Sequence, residues 1–101
     1  MAREQFQTLS EPMYYILLTL LEEQCGVDIM AKVNHLSNNR VTVGPGTLYA
    51  LIDKFLDAKM IRETRIEGRR KHYIITELGK EKLIKERKRL KLMLDDGRIL
   101  E

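Results

Sequence analysis

The sequence has few of the residues that build disulfides, metal centres and nucleophilic sites. Its 101 residues include one cysteine, two histidines and no tryptophan. A lone Cys25 cannot form an internal disulfide, which fits a reducing setting and a structural role. Neither His35 nor His72 stands at the spacing of a metal-ligand set or a catalytic triad, and no glycine-rich phosphate loop follows a strand. The composition therefore predicts a protein that is not an enzyme and has no metal site and no cofactor.

Long apolar runs are missing as well. No run approaches the ~18 residues that a transmembrane helix needs, and Met1–Gln5 lacks the apolar stretch of a signal peptide. We therefore expect a cytoplasmic protein with no membrane partner. The length corresponds to one domain with a single core. Because 33% of the residues are charged, that core is modest, which favours a partner subunit.

The positive charge is concentrated in one part of the chain. The net charge is +3, but residues 61–91 alone carry +7, whereas residues 1–60 and 92–101 carry −2 each. A basic segment of this kind suits an anionic polymer such as nucleic acid. The basic residues between Lys80 and Lys91 could equally form a solvated helix face. That alternative suits Arg69, Arg70 and Lys71 less well, because they follow a glycine at the expected tip of a hairpin.

Hydrophobic spacing predicts a mainly α fold with a small β-hairpin. Apolar residues recur every three or four positions in four segments, and two β-branched segments bracket Glu67–Arg70. The order α-α-α-β-β-α is that of a winged helix-turn-helix, which we assign to residues 1–76, with a C-terminal dimerisation helix and tail at residues 77–101. The predicted helices are 12–24, 27–36, 44–60 and 77–95, and the predicted strands are 61–66 and 72–75.

The third helix and the hairpin are the expected contacts with double-stranded DNA. A major groove about 12 Å wide admits one helix, and the amides of a helix N-terminus can receive a phosphate. Asp53 and Asp57 would repel phosphate, so base contacts are expected in the first two turns of the helix. Tyr49 could instead be an aromatic residue at the edge of the core. The predicted DNA-binding residues are Gly46, Thr47, Tyr49, Ala50 and Lys54 on the helix and Arg69, Arg70 and Lys71 on the hairpin.

The last helix carries an apolar seam with no obvious partner inside the predicted core. Surplus apolar side chains on the first helix provide a place where the last helix of a second subunit could dock. A two-fold dimer of this kind would hold two recognition helices about 34 Å apart and bind an inverted repeat. Tyr14 and Tyr15 could alternatively line a pocket for an effector. The predicted dimer-interface residues are Tyr14, Leu18, Leu83, Leu90, Met93 and Leu94.

Three segments of the chain carry the marks of one family. Gly44–Phe55 is similar to the start of a recognition helix, Gly68–Gly79 to a wing and the turn after it, and Glu11–Leu18 to a first helix. Together they resemble the PadR-like transcriptional regulators. The resemblance extends over about Glu11 to Leu90, and Gly-Thr-Leu-Tyr at 46–49 is its most specific part. The short last helix is similar to that of the compact branch of the family.

This resemblance implies a dimeric winged-helix repressor that often responds to a small-molecule effector. It also implies that Thr47, Tyr49 and the basic residues of the wing lie at DNA. Phe55 and Ala58 stand where Leu and Gly are more usual, which is a change in packing. Because the chain has no tryptophan, an aromatic drug-stacking pocket built on Trp is not expected.

One alternative to DNA binding follows from the residues themselves. Winged helices also serve as non-catalytic protein–protein interaction modules, in which case the basic segment would simply be solvated. Salt-dependent binding to duplex DNA would distinguish the two functions.

Overall fold

A computed structural model describes residues 8–101 of the chain. Met1–Gln5, inspected above for a signal peptide, lie outside the described residues. None of the helices within residues 8–101 is both long and apolar enough to span a membrane. The elements are α1 (Glu11–Thr19), β1 (Gln24–Cys25), α2 (Gly26–Leu36), α3 (Pro45–Asp57), β2 (Ile61–Glu67), β3 (Arg70–Ile75) and α4 (Glu77–Asp96), followed by a 3-10 turn at Gly97–Leu100.

The small sheet has three strands in the order β1-β3-β2, so the prediction of an isolated hairpin is wrong. The missed strand is β1, whose Cys25 lies opposite His72 of β3. The first helix also ends at Thr19 instead of the predicted Gln24. The chain leaves the helix because the carbonyl of Leu20 accepts a hydrogen bond from the Ile75 amide at 2.8 Å. That bond and the β1–β3 pairing stabilise this stretch more than another turn of helix would.

Strands β2 and β3 form the wing, and their turn is tighter than predicted. The register pairs Glu67 with Arg70, so only Gly68 and Arg69 form the turn. Gly68 has a φ of +62°, as the first central position of a type II′ turn requires. A β-bulge lies between Glu63 and Arg65, and bulges increase the local twist of a hairpin. The turn therefore places three consecutive basic residues at or next to the tip.

The turn between α2 and α3 is fixed by one buried side chain. Ser37 donates a hydrogen bond to the Val33 carbonyl at 2.8 Å and accepts one from the Val41 amide at 3.0 Å. Asn38 and Asn39 follow with positive φ angles of 52° and 63°, a conformation that asparagine tolerates better than most residues. The polar break in the sequence thus forms a defined turn that sets the position of α3 relative to α2.

The first half of α4 packs on the body of the protein. Thr76 caps the helix by accepting a hydrogen bond from the Gly79 amide at 3.1 Å. Leu83 is only 5% exposed and belongs to the hydrophobic core. The prediction that Leu83 lacks a partner within its own chain is therefore wrong, because the start of α4 packs against α1 and the sheet. This half of the helix closes the core beneath it.

Candidate nucleic-acid interface

Helix α3 presents its first turns to solvent. Leu48, Ile52 and Phe55 are buried and hold the helix against the core. No side chain caps its N-terminus, so the first amides remain free to bind an anion. A Cβ added at Gly46 would meet no atom within 4 Å. All five helix residues predicted to bind DNA are exposed: Gly46, Thr47, Tyr49, Ala50 and Lys54.

A cleft separates α3 from the wing. Its volume is about 340 Å³, and Tyr49 and Asp53 face the wing residues Arg69, Arg70 and Lys71 across it. The fold thus brings Tyr49 together with all three predicted wing residues. The other predicted helix residues do not line this cleft: they are Gly46, Thr47, Ala50 and Lys54.

The ring of Tyr49 lies against the start of α2. Any Cβ at Gly26 would collide with the hydroxyl and the Cζ atom of Tyr49. Glycine is therefore the residue that lets this ring approach the α2 backbone. Tyr49 is still 46% exposed, so its side chain is supported by α2 while much of its surface remains available to a ligand.

The wing cations have no partners among the described residues. Arg40 and Arg65 each pair with a carboxylate, at 2.9 and 3.2 Å. Arg69, Arg70 and Lys71, in contrast, are exposed and take part in no ion pair within residues 8–101. Their charges are thus not neutralised by the protein and remain available to an external anion.

Two tyrosines and a carboxylate meet on the inner side of the cleft. Burial raises the pKa of Tyr73, and the nearby Glu63, Tyr49 and Asp53 raise it further. Tyr73 therefore keeps its proton at neutral pH. Asp53, expected from the sequence only as a residue that repels phosphate, lies in the cleft itself.

A second concave surface lies on the side of the molecule formed by α1 and α4. This α1–α4 groove is almost entirely apolar and has a volume of about 230 Å³. Tyr14 and Leu18 line it together with Leu83, as predicted for residues of one surface. Leu90, Met93 and Leu94 lie farther along α4 and are exposed. The complete lining of the groove is Tyr14, Leu18, Leu21, Lys80, Leu83, Ile84 and Arg87.

The sequence model named "Transcriptional regulator PadR-like family" matches residues 16–85. That stretch includes α2, α3, the wing and the start of α4. The chain belongs to the PadR-like family. This PadR-like protein is therefore a DNA-binding transcription regulator and not an enzyme, as predicted.

Solved structures share the fold of this PadR-like protein across nearly its whole length. RosR of H. salinarum, in a structure grown from NaBr, superposes with a TM-score of 0.68 at 17% identity, covering 96% of this chain and 100% of RosR. A complex structure of hsRosR-S1 has a TM-score of 0.61 at 20% identity and covers 98% and 96% of the two chains. These structures confirm the mainly helical fold with its small antiparallel sheet. Comparison with curated proteins gave no significant match.

Several residues that shape the interface gave no signal in the sequence. The wing of this PadR-like protein is braced at its base by Arg65, which pairs with Glu23 at 3.2 Å. Hydrogen bonds from Thr64 and Arg65 lower the pKa of Glu23 against the effect of burial. Glu23 and Arg65 are far apart in sequence, so only the β-sheet places them together. A similar distance in sequence conceals the contact between Gly26 and Tyr49.

The remaining titratable residues of this PadR-like protein form no metal site within residues 8–101. Cys25 is buried, and its thiol lies 3.4 Å from the Asp28 carboxylate. His72 is also buried, with Nε2 3.5 Å from Glu67 Oε1. Both side chains belong to the sheet that supports the wing and not to the cleft.

Proposed function

We propose that this PadR-like regulator is a homodimeric repressor that binds an inverted-repeat operator. The observation that carries the proposal is the row of unpaired wing cations, Arg69, Arg70 and Lys71, facing Tyr49 of α3 across one cleft. Helix and wing form a single surface in which small or polar side chains stand beside free positive charge. Such a surface fits the major groove and the phosphates next to it.

In this arrangement α3 supplies the contacts that select a sequence. Gly46 and Ala50 allow the helix to approach the base edges closely, while Thr47 and Tyr49 supply hydroxyl groups. Lys54, one turn after Ala50, is directed to the DNA backbone. Because Tyr49 rests on Gly26, its ring is already positioned before DNA arrives, which reduces the entropy cost of binding.

The dimer uses the apolar surface at the two terminal helices. Leu90 and Leu94 continue the helix face of Leu83 but are exposed. In a two-fold dimer the exposed second halves of the two α4 helices cross antiparallel and cover these side chains. The two α3 helices then lie on one side of the assembly, as binding to an inverted repeat requires.

The α1–α4 groove is where an apolar effector would relieve repression. Of the two tyrosines expected to line a pocket, Tyr14 borders the groove. Tyr15 instead accepts a hydrogen bond from Arg40 at 2.8 Å. A ligand that displaced the side chains covering Tyr14 would alter the dimer and hence the spacing of the two α3 helices.

The wing provides the decisive experiment. Binding of the intact protein to duplex fragments flanking its own gene is measured between 50 and 200 mM salt. With ~6–10 phosphate contacts per dimer, affinity falls by about 10³–10⁵ over that range. Arg69→Ala/Arg70→Ala weakens binding to all sequences alike and lowers the steepness of the salt dependence by about 0.9 for each phosphate that the variant no longer neutralises. The matched control is Lys85→Ala/Lys88→Ala, which removes two exposed charges from α4 and leaves the wing intact.

The same titration separates DNA binding from the alternative of a protein–protein interaction module. A module would show no salt-dependent duplex binding, and the wing and control variants would behave alike. If the wing variant loses affinity for the specific site only, the wing contacts bases instead of phosphates.

Sequence selection is tested by Thr47→Ala and Tyr49→Ala. Each change weakens operator binding more than non-specific binding, because base contacts carry the specificity. The melting temperature is measured in parallel. A large drop for Tyr49→Ala, with normal binding by the protein that remains folded, would make Tyr49 a structural residue.

A further inference from the structure

The most exposed apolar residues of the protein lie in its C-terminal turn, Gly97–Leu100. Ile99 is 91% exposed and Leu100 is 89% exposed, the highest values among the large apolar side chains of residues 8–101. Two neighbouring aliphatic side chains left in water are unfavourable by about 1.5–3 kcal/mol each relative to burial. A short 3-10 turn after a 20-residue helix places them at the far end of α4, away from the core.

The same chain carries a concave apolar surface of matching size. The α1–α4 groove, about 230 Å³, exceeds the volume of one aliphatic side chain and can admit two. Its apolar wall is formed by Tyr14, Leu18 and Leu83, with Lys80 and Arg87 at the rim. The turn cannot enter the groove of its own chain, because α4 is a continuous helix that carries the two features at opposite ends.

The register of the proposed dimer brings the two features together. Leu90 and Leu94 lie on either side of Leu92 and would pair across a two-fold axis at that level. An antiparallel helix pair centred there sets each position beyond residue 92 opposite the position equally far before it. Ile99 and Leu100 then come level with residues 85 and 84 of the partner, which is where the groove lies. A two-fold axis makes this contact reciprocal.

The charges agree with this register. Asp96 comes level with Lys88 of the second copy, and Glu101 falls between Lys80 and Arg87 at the rim of the groove. Asp96, Glu101, Lys88 and Arg87 take part in no ion pair within the described part of the chain. Residues 92–101 carry a net charge of −2 in an otherwise basic C-terminal region.

We infer that the C-terminal turn of each subunit docks in the α1–α4 groove of a second copy of this chain. Ile99 and Leu100 fill the groove, and Glu101 neutralises the basic rim. The inference rests on the proposed homodimer and specifies its contacts. It also explains how an apolar effector acts, since that effector would compete with the turn for the same groove.

The first test is the dimer dissociation constant, measured by sedimentation of the intact chain. Ile99→Asp raises it by about 100-fold, because two copies of the apolar side chain are replaced by a charged one in each dimer. The matched control is Ile66→Asp, which places the same change at an exposed isoleucine of the wing and leaves the constant unchanged. Circular dichroism of each variant confirms that the fold persists.

A charge exchange tests the register. Arg87→Glu weakens the dimer through repulsion from Glu101, and the double variant Arg87→Glu/Glu101→Arg restores it. A simple loss of helix stability would not be rescued by a change at the opposite end of α4.

Crosslinking identifies the occupant directly. A photoreactive benzoylphenylalanine at position 100 is activated in an equal mixture of ¹⁴N and ¹⁵N protein. Mixed-isotope products joined to α1 or to the start of α4 support the inference. A dimer that Ile99→Asp leaves intact, or crosslinks within one chain only, would overturn it while leaving the homodimer in place. A monomeric intact chain at micromolar concentration would overturn both, and salt-dependent DNA binding would still be measurable separately.

Discussion

The two halves of α4 belong to one continuous helix but have opposite surroundings. In the first half, Gly79, Leu83 and Glu86 are all buried against the body of the same chain. In the second half no side chain is buried, and Leu90, Leu92, Met93 and Leu94 are all exposed. The first half stabilises the fold of one subunit, whereas the second half offers apolar surface that a single subunit cannot cover.

Buried polar groups explain why the first half is fixed in place. Glu86 is 3% exposed, and its carboxylate accepts hydrogen bonds from the Leu9 amide at 3.0 Å and from Arg89 at 2.7 Å. From the sequence, Glu86 was interpreted only as an interruption of the dimer seam. A charge buried with hydrogen bonds on both oxygens instead ties the segment before α1 to α4. The comparison teaches that one helix can divide its length between folding and assembly.

Deletion of residues 90–101 has the largest expected effect, because it removes the second half alone. We expect a monomer that keeps its fold and unfolds cooperatively, with the dimer dissociation constant raised by more than about 1,000-fold. Sedimentation and circular dichroism check the two parts. The cut follows Arg89 and not Lys85, because a shorter chain would lose the buried Glu86. A deletion variant that stays dimeric would assign the interface to other surfaces.

Gly79→Ala tests the attachment of the first half. The new Cβ would collide with the Met60 carbonyl and approach Ile75, and that carbonyl already accepts a hydrogen bond from Thr76 at 2.9 Å. We expect the free energy of unfolding to fall by about 3 kcal/mol despite the higher helix propensity of alanine. Gly97→Ala is the matched control at the other end of α4, where a Cβ meets no atom; urea unfolding should change by less than about 0.5 kcal/mol.

Glu86→Gln has an intermediate effect that depends on pH. Arg89 and the Leu9 amide lower the pKa of Glu86 against the effect of burial, so the deprotonated form stabilises the fold. This contribution is complete above the unfolded pKa of about 4.3 and is lost as the pH falls through the lower folded value. At pH 7 the variant should be about 1–2 kcal/mol less stable. Urea unfolding from pH 7 to 3 should show this difference shrinking; a constant difference would exclude a role for the charge.

Glu77→Gln has the smallest expected effect. Glu77 pairs with Lys80 at 3.6 Å in the first turn of α4, but its side chain is 88% exposed. Exposed ion pairs contribute about 0–1 kcal/mol, so we expect the free energy of unfolding to change by no more than about 0.5 kcal/mol. A loss comparable to that of Glu86→Gln would mean that surface charge, and not buried contacts, attaches this half of the helix.

The sequence predicted the order of helices and the wing because local signals mark them. Pro45 near the start of α3, Thr76 before α4 and the glycine of the wing turn each act within a few residues. The same locality explains the misses. β1 has only two residues and exists through its pairing with β3, so no periodicity could indicate it.

By itself, the sequence determined the fold class, the position of the recognition helix and the concentration of positive charge on the wing, since these follow from residue spacing and composition. Tertiary structure alone decided which charges are free. It left Arg69, Arg70 and Lys71 unpaired while pairing Arg65 with Glu23, and it buried Leu83 while exposing Leu90 on the same face of one helix. These outcomes depend on contacts between residues far apart in the chain, which hydrophobic periodicity does not encode.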